Sequence, residues 1–269
     1  MPTPSSLPVA AARHTIPLGP ALVSVLERPG SDPPVLLLHG WGANAASFTG
    51  LLRLATTGRR LVALDLPGFG ESPMGVTEWT TTKYAALVGD LIRDRDWGTV
   101  SVLGHSFGGG IALRVAGATG APLDRLLLCA ASGVRAPNSG GVTAKVRVFR
   151  GLRRGLELAL PAGPADSAVE WLRQRMGSAD YRAAGPLRPL LVRTVQEDLS
   201  AVAERVQVQT LIIWGGRDTE LPLDPFGHRL QRLVRNSALV EFETSGHFPF
   251  VDEPARFAAV FDSFVDATL

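Results

Sequence analysis

A serine, an aspartate and a histidine, each standing beyond an apolar run and in that order along the chain, have the spacing that nucleophilic chemistry requires. Val100 to Leu103 leads into Gly104-His105-Ser106-Phe107-Gly108-Gly109, and Ile111 to Ala116 continues with helix-forming residues. This is G-x-S-x-G in a strand-turn-helix context. Such a tight turn strains the serine backbone, and Gly104 and Gly108 permit it because they have no side chains to strike neighbouring elements. The hydroxyl is thereby presented above the C-terminal edge of the sheet. The helix that follows points its N-terminus at the same place, where free N–H groups and the helix dipole favour developing negative charge.

A serine hydroxyl at its ordinary pKa needs a general base, and the base needs an orienting group. Of the five histidines, His247 in Thr244-Ser245-Gly246-His247-Phe248-Pro249 lies in a loop between a strand ending near Phe242 and a C-terminal helix. From there it can project over the sheet edge. Leu211-Ile212-Ile213-Trp214-Gly215-Gly216-Arg217-Asp218 supplies Asp218 directly after an apolar run, in position to hold the imidazole tautomer and stabilise the imidazolium. Glu220 and Asp224 compete for that role; Asp224 precedes Pro225 and reads as the cap of a helix starting there. A tetrahedral oxyanion also needs two donors. The amide of Phe107, the residue after the nucleophile, is one candidate. The amide of Trp41, in Val35-Leu36-Leu37-Leu38-His39-Gly40-Trp41-Gly42, is the other, and its indole can wall an acyl pocket. Trp41 and Phe107 are therefore also the expected substrate-binding residues.

Other reactive residue types read as structural. His39 at a strand end and Asp65 in Leu64-Asp65-Leu66-Pro67-Gly68-Phe69-Gly70 suit loop organisation. His105 should diverge from the substrate side, and His14 and His228 have no supporting context. Cys129, the single cysteine, lies inside Leu126-Leu127-Leu128-Cys129-Ala130-Ala131 and reads as a small buried residue. One cysteine excludes an internal disulfide framework and a zinc cluster.

The elements that position these residues follow from hydrophobic periodicity. Short Val/Leu/Ile runs predict strands at Ala21 to Leu26, Val35 to Leu38, Arg60 to Leu64, Val100 to Leu103, Arg125 to Ala130, Thr210 to Trp214 and Leu239 to Phe242. Tyr84, Leu87, Val88, Leu91 and Ile92 recur at helical spacing, as do Phe257, Val260, Phe261 and Phe264. The alternation is that of an α/β chain with a parallel sheet covered on both faces. From about Gly133 to Val206 it stops, which predicts a helical insertion of residues 133–206 in a core made of residues 1–132 and 207–269.

With 45% hydrophobic and 19% charged residues in 269, the chain can bury a large core, and disorder is excluded. The 27 basic and 25 acidic residues give a formal charge of +2, and all but Lys83 and Lys145 of the basic residues are arginines, which raises the pI without implying a nucleic-acid partner. Counted by segment, 133–206 carries 12 basic and 7 acidic residues while the remainder has 15 and 18. The excess is densest from Lys145 to Arg154, interleaved with Val146, Val148, Phe149 and Leu152. That pattern fits a solvated helix face, or attraction for anionic substrates or a lipid surface. No basic-apolar leader stands at Met1 to Ala12 and no run approaches the roughly 20 apolar residues of a membrane span, so a cytoplasmic protein without stable membrane insertion is expected.

Taken together, His39-Gly40-Trp41-Gly42, Asp65-Leu66-Pro67-Gly68-Phe69-Gly70, Gly104-His105-Ser106-Phe107-Gly108-Gly109, Gly215-Gly216-Arg217-Asp218 and Gly246-His247 resemble the alpha/beta-hydrolase superfamily, in the family's order. The resemblance implies a mostly parallel eight-stranded sheet flanked by helices, a helical cap inserted after the sixth strand, and no metal or organic cofactor. Haloalkane dehalogenases and epoxide hydrolases carry aspartate at the elbow, which argues against both. Meta-cleavage-product hydrolases typically place Asn before the serine, where this chain has His105, and the proline iminopeptidase elbow Gly-Gly-Ser-Trp-Gly does not match. The resemblance therefore points to a serine carboxylesterase or small-acyl lipase acting on a small-molecule ester through Ser106, Asp218 and His247. A carbon-carbon bond hydrolase of vinylogous keto acids, a lipase at an anionic interface and a non-catalytic receptor of the same fold remain as alternatives.

Overall fold

In the computed structural model, residues 10–18, 21–75, 78–135, 154, 161 and 183–267 are described. Eight strands form one sheet: β1 (Ala12–Leu18), β2 (Ala21–Arg28), β3 (Ser31–Leu38), β4 (Arg59–Leu64), β5 (Val100–His105), β6 (Leu123–Cys129), β7 (Gln209–Gly215) and β8 (Ser237–Phe242). Their spatial order is β1-β2-β4-β3-β5-β6-β7-β8. Only β2 runs against its neighbours, pairing antiparallel with both β1 and β4, and from β4 to β8 all pairings are parallel. All seven runs singled out by periodicity are strands. The eighth, β1, has an exposed, polar edge sequence, Ala-Arg-His-Thr-Ile-Pro-Leu, in which only Ile16 and Leu18 are buried.

Alternation along the central strands builds the core in two layers. Leu36 and Leu38 of β3, Leu126 and Leu128 of β6, and Ile212 and Trp214 of β7 face one side with helices α2 (Thr81–Asp94) and α3 (Phe107–Ala116). The intervening Val35, Leu37, Leu127, Cys129, Leu211 and Ile213 face the other, where α1 (Thr49–Leu54) and a long C-terminal helix pack. Strands buried on both faces lose the polar-apolar alternation of an open sheet, which is why they read as continuous apolar runs. Cys129 is buried, and desolvation drives its thiol pKa well above the ordinary value, so it is an inert core residue.

The remaining described helices are α4 (Arg188–Gln196), α5 (Ser200–Ala203), α6 (His228–Leu233), α7 (Pro249–Asp252) and α8 (Pro254–Val265). On α2 all five residues that set its apolar stripe are buried. On α8, Phe257 and Phe261 are buried with Ala258 and Val265, while Val260 and Phe264 are partly buried against the same layer. No described helix is long and apolar enough to cross a membrane.

Of the segment 133–206 expected to form a cap, residues 136–153, 155–160 and 162–182 lie outside the described residues, and with them most of the basic run from Lys145 to Arg154. The described end of the segment is tied to the sheet-covering helices. Thr81 on α2 donates to the Glu197 carboxylate (2.6 and 2.7 Å), and Arg114 on α3 pairs with it at 3.2 Å. Arg193 pairs with Glu78 at 2.7 Å, and Arg205 donates to the Gly117 carbonyl. Part of the segment's positive charge is thus engaged in fastening it.

Because Phe261 is fully buried between the sheet and α1, Phe261→Ala should lower unfolding free energy by about 3–5 kcal/mol through lost burial and a residual cavity. Urea denaturation reads this directly, and a loss under about 1 kcal/mol would mean that the α8 layer is packed differently.

Candidate active site

The parallel strands β3, β5, β6, β7 and β8 end at one edge of the sheet, and every residue singled out for chemistry stands on the turn that follows one of them. Ser106 follows β5 with φ 47° and ψ −111°, a left-handed conformation uncommon for a non-glycine residue. Its backbone is secured on both sides: its N–H donates to the Cys129 carbonyl (3.0 Å), and its own carbonyl accepts from Ser132 N–H (3.0 Å), Ser132 Oγ (3.1 Å) and Gly110 N–H (3.1 Å). The turn is also crowded. A Cβ on Gly108 would lie 2.2 Å from the Leu38 carbonyl oxygen, and one on Gly104 would lie 2.4 Å from the Gly108 carbonyl oxygen. Those two glycines let α3 start directly against the ends of β3 and β5.

His247 sits in the loop after β8 and is buried, with its Nδ1–H donating to Asp218 Oδ2 at 2.7 Å. The other Asp218 oxygen accepts the N–H groups of Glu220 and Leu221, both at 2.9 Å. This carboxylate therefore fixes the imidazole orientation and the shape of its own turn together. The two loops approach so closely that a Cβ on Gly215 would lie 1.9 Å from the Gly246 carbonyl oxygen. Asp252 and Glu253 complete the frame: Asp252 accepts from Gly246 N–H at 2.8 Å, and Glu253 from Ser245 Oγ at 2.7 Å.

The elbow and the histidine loop meet through His105. Its Nε2–H donates to the His247 carbonyl at 2.9 Å, and its ring lies 4.9 Å from those of His247 and Phe248. Complete burial, aided by the neighbouring His247, pushes the His105 pKa down to about 3. It is thus a neutral strut beneath the site. Among the described residues the Ser106 hydroxyl has no hydrogen-bond partner, and His247 Nε2 has Glu220 Oε2 at 3.7 Å.

The two amides expected to serve as oxyanion donors stand on adjacent turns. Phe107 opens α3, and its ring is buried against Trp41, Phe69 and Tyr84, so what it can offer a substrate is its N–H. Trp41 is only partly buried, with its indole edge-on to Phe69 (5.2 Å) and Phe107 (5.5 Å), and it can line a pocket. His39 is engaged beneath them. Its Nδ1–H donates to the Gly40 carbonyl (2.7 Å), its Nε2 accepts from Leu66 N–H (3.0 Å), and burial lowers its pKa.

Asp65 organises the loop after β4. Its burial would raise the carboxyl pKa, but donation from the Ala45 and Glu71 amides and from Arg13 outweighs this and holds it below the usual range. Arg13, on the unforeseen strand β1, completes that cluster. Asp224, the expected cap, has the extended backbone that a cap adopts (φ −103°, ψ 121°), but among the described residues its exposed carboxylate accepts no amide hydrogen bond and faces His228 at 3.9 Å. Phe248, exposed beside His247 with its ring edge-on to the imidazole at 5.2 Å, is an aromatic neighbour that sequence pattern does not single out.

Residues 35–260 match the alpha/beta hydrolase family, and the chain belongs to that family. It is 32% identical over 275 aligned positions to an uncharacterized protein of Mycobacterium tuberculosis, covering 89% of this chain and 77% of that one. It is 29% identical to the pimeloyl-[acyl-carrier protein] methyl ester esterase of Methylococcus capsulatus, across 89% of this chain and 97% of the relative. A crystallised bacterial membrane phospholipase A superposes with a TM-score of 0.74 at 25% identity, covering 96% of this chain and 86% of that one.

The neutral state of buried His105 sets a pH dependence. Its native pKa lies below the unfolded value near 6.5, so the unfolded chain takes up a proton that the native chain refuses, and stability falls as pH drops from about 6.5 toward 3. Over pH 6 to 4, wild type should lose stability more steeply than His105→Gln, by at most about 1.4 kcal/mol per pH unit. Denaturation midpoints across that range test this; parallel slopes would refute it.

Proposed function

We propose that the protein is a serine carboxylesterase that works through an acyl-enzyme on Ser106, with His247 as general base and Asp218 as its orienting carboxylate. The observation that carries this reading is the 2.7 Å contact of His247 Nδ1 with a buried Asp218, on the same sheet edge as a serine held at positive φ. Asp218 can accept only from a protonated Nδ1, which leaves Nε2 with its lone pair free to take a proton.

In the first half-reaction His247 Nε2 removes the Ser106 proton as Oγ attacks the ester carbonyl. The Phe107 and Trp41 amides receive the negative charge that develops on the carbonyl oxygen. His247 then gives its proton to the departing alcohol, and water repeats the sequence on the acyl-enzyme. Each oxyanion donor contributes about 3–4 kcal/mol of barrier reduction, and the serine-histidine pair contributes more, non-additively. No step calls on a metal or an organic cofactor.

The named relatives support an ester as substrate, since those that are about as long as this chain act on a methyl ester. The carbon-carbon alternative is less well supported at the elbow, where His105 is committed to holding the histidine loop. The expected cap over residues 133–206 remains part of this reading, as the element that would set acyl length.

Ser106→Ala should abolish hydrolysis of a p-nitrophenyl acyl ester above background, while Asp218→Asn should retain the fold and lose about 10³–10⁴-fold in kcat. Retention of most of the wild-type rate by Ser106→Ala would remove the nucleophile assignment. A kcat/KM for dienoic keto acids far above that for neutral esters at matched concentration would instead establish the carbon-carbon reaction.

A further inference from the structure

The proposed base has a second carboxylate on the nitrogen that does the chemistry. Glu220 Oε2 lies 3.7 Å from His247 Nε2, whereas Asp218 contacts Nδ1. The backbone that carries Glu220 is held in place. The Glu220 N–H is held by Asp218 Oδ1 at 2.9 Å, so one buried aspartate anchors both the histidine and the backbone from which Glu220 reaches it. Among the described residues the Glu220 carboxylate faces no other positive group, and its side chain is 59% exposed, which leaves it open to a bound molecule.

We propose that Glu220 is a specificity-determining residue of the leaving-group side, favouring esters whose alcohol carries a positive charge or a hydrogen-bond donor and disfavouring those whose alcohol carries an anion. This rests on the reading of His247 as the group that protonates the departing alcohol. For that transfer the leaving oxygen must come within about 3 Å of Nε2. It is then at most about 7 Å from Glu220 Oε2, given the 3.7 Å already measured. A substituent on the alcohol that extends toward the carboxylate comes closer still. A unit charge there, in a partly solvated site, changes relative rates by about three- to tenfold at low ionic strength and by less at high salt.

Butyrylcholine and 3,3-dimethylbutyl butyrate share an acyl group and differ in their alcohols by a positive nitrogen in place of a carbon, so their shapes match. The quantity to read is the ratio of kcat/KM for the charged ester to that for the neutral one. In wild type at low salt the ratio should exceed that of Glu220→Gln by about three- to tenfold, and raising ionic strength should narrow the difference. A merely structural role for Glu220 scales both esters together and leaves the ratio, and its salt dependence, unchanged; that result overturns the proposal while leaving the esterase reading intact. Failure of wild type to hydrolyse either ester overturns both.

Discussion

The backbone at Ser106 is the constraint on which the site depends. A non-glycine residue at φ 47° costs about 1–3 kcal/mol and persists only where its surroundings enforce it. Here the enforcement comes from the pairing of β5 with β6 and from the hydrogen bonds that Cys129, Ser132 and Gly110 make with the serine backbone. Leu38 and Gly104 are direct partners in the β3–β5 ladder, and Gly108 N–H donates to the His39 carbonyl at 3.1 Å. The strand that leads into the Trp41 turn is therefore locked to the helix that carries Phe107. A register slip of one residue in either strand would turn their core residues toward the wrong layer, so burial of the two layers holds the strained turn in place.

A second constraint joins the ends of β7 and β8. Asp218 acts with both oxygens, one on His247 and one on the amides of its own turn. The tight approach at Gly215 brings the two loops into one unit, and His105 ties that unit to the elbow by its bond to the His247 carbonyl. Burial keeps His105 uncharged, so the strut adds no charge beside the His247 imidazole. The result is a site whose parts come from separate turns yet share backbone supports, the preorganisation that charge stabilisation requires.

Much of this was legible in the sequence because strands buried on both faces leave continuous apolar runs, and because a residue placed after such a run stands on the sheet edge. That logic located Ser106, Asp218 and His247, the turn bearing Trp41, and the supporting parts played by His39 and Asp65. It failed where periodicity carries no signal. The edge strand β1 is polar and mostly exposed, so neither the strand nor the contact of Arg13 with Asp65 was visible. In the sequence Glu220 reads only as a rival to Asp218, since linear order does not say which nitrogen of His247 a nearby carboxylate will face. Asp224 shows the reverse failure, a capping sequence with a cap's extended backbone whose carboxylate turns to His228 instead of to an amide. The pI gave the least guidance: arginines such as Arg193 and Arg205 are spent on fastening the end of the inserted segment to the core.

The central claim is that the strained serine is chemically activated by the His247–Asp218 pair, and covalent trapping tests it most directly. A fluorophosphonate esterifies an activated serine with loss of fluoride and leaves an ordinary hydroxyl untouched. Incubation of the native protein followed by peptide mass mapping should find a single stoichiometric adduct on the peptide containing Ser106, formed much more slowly when His247 is replaced by Gln. An unmodified Ser106, or an adduct on another residue, would contradict the account.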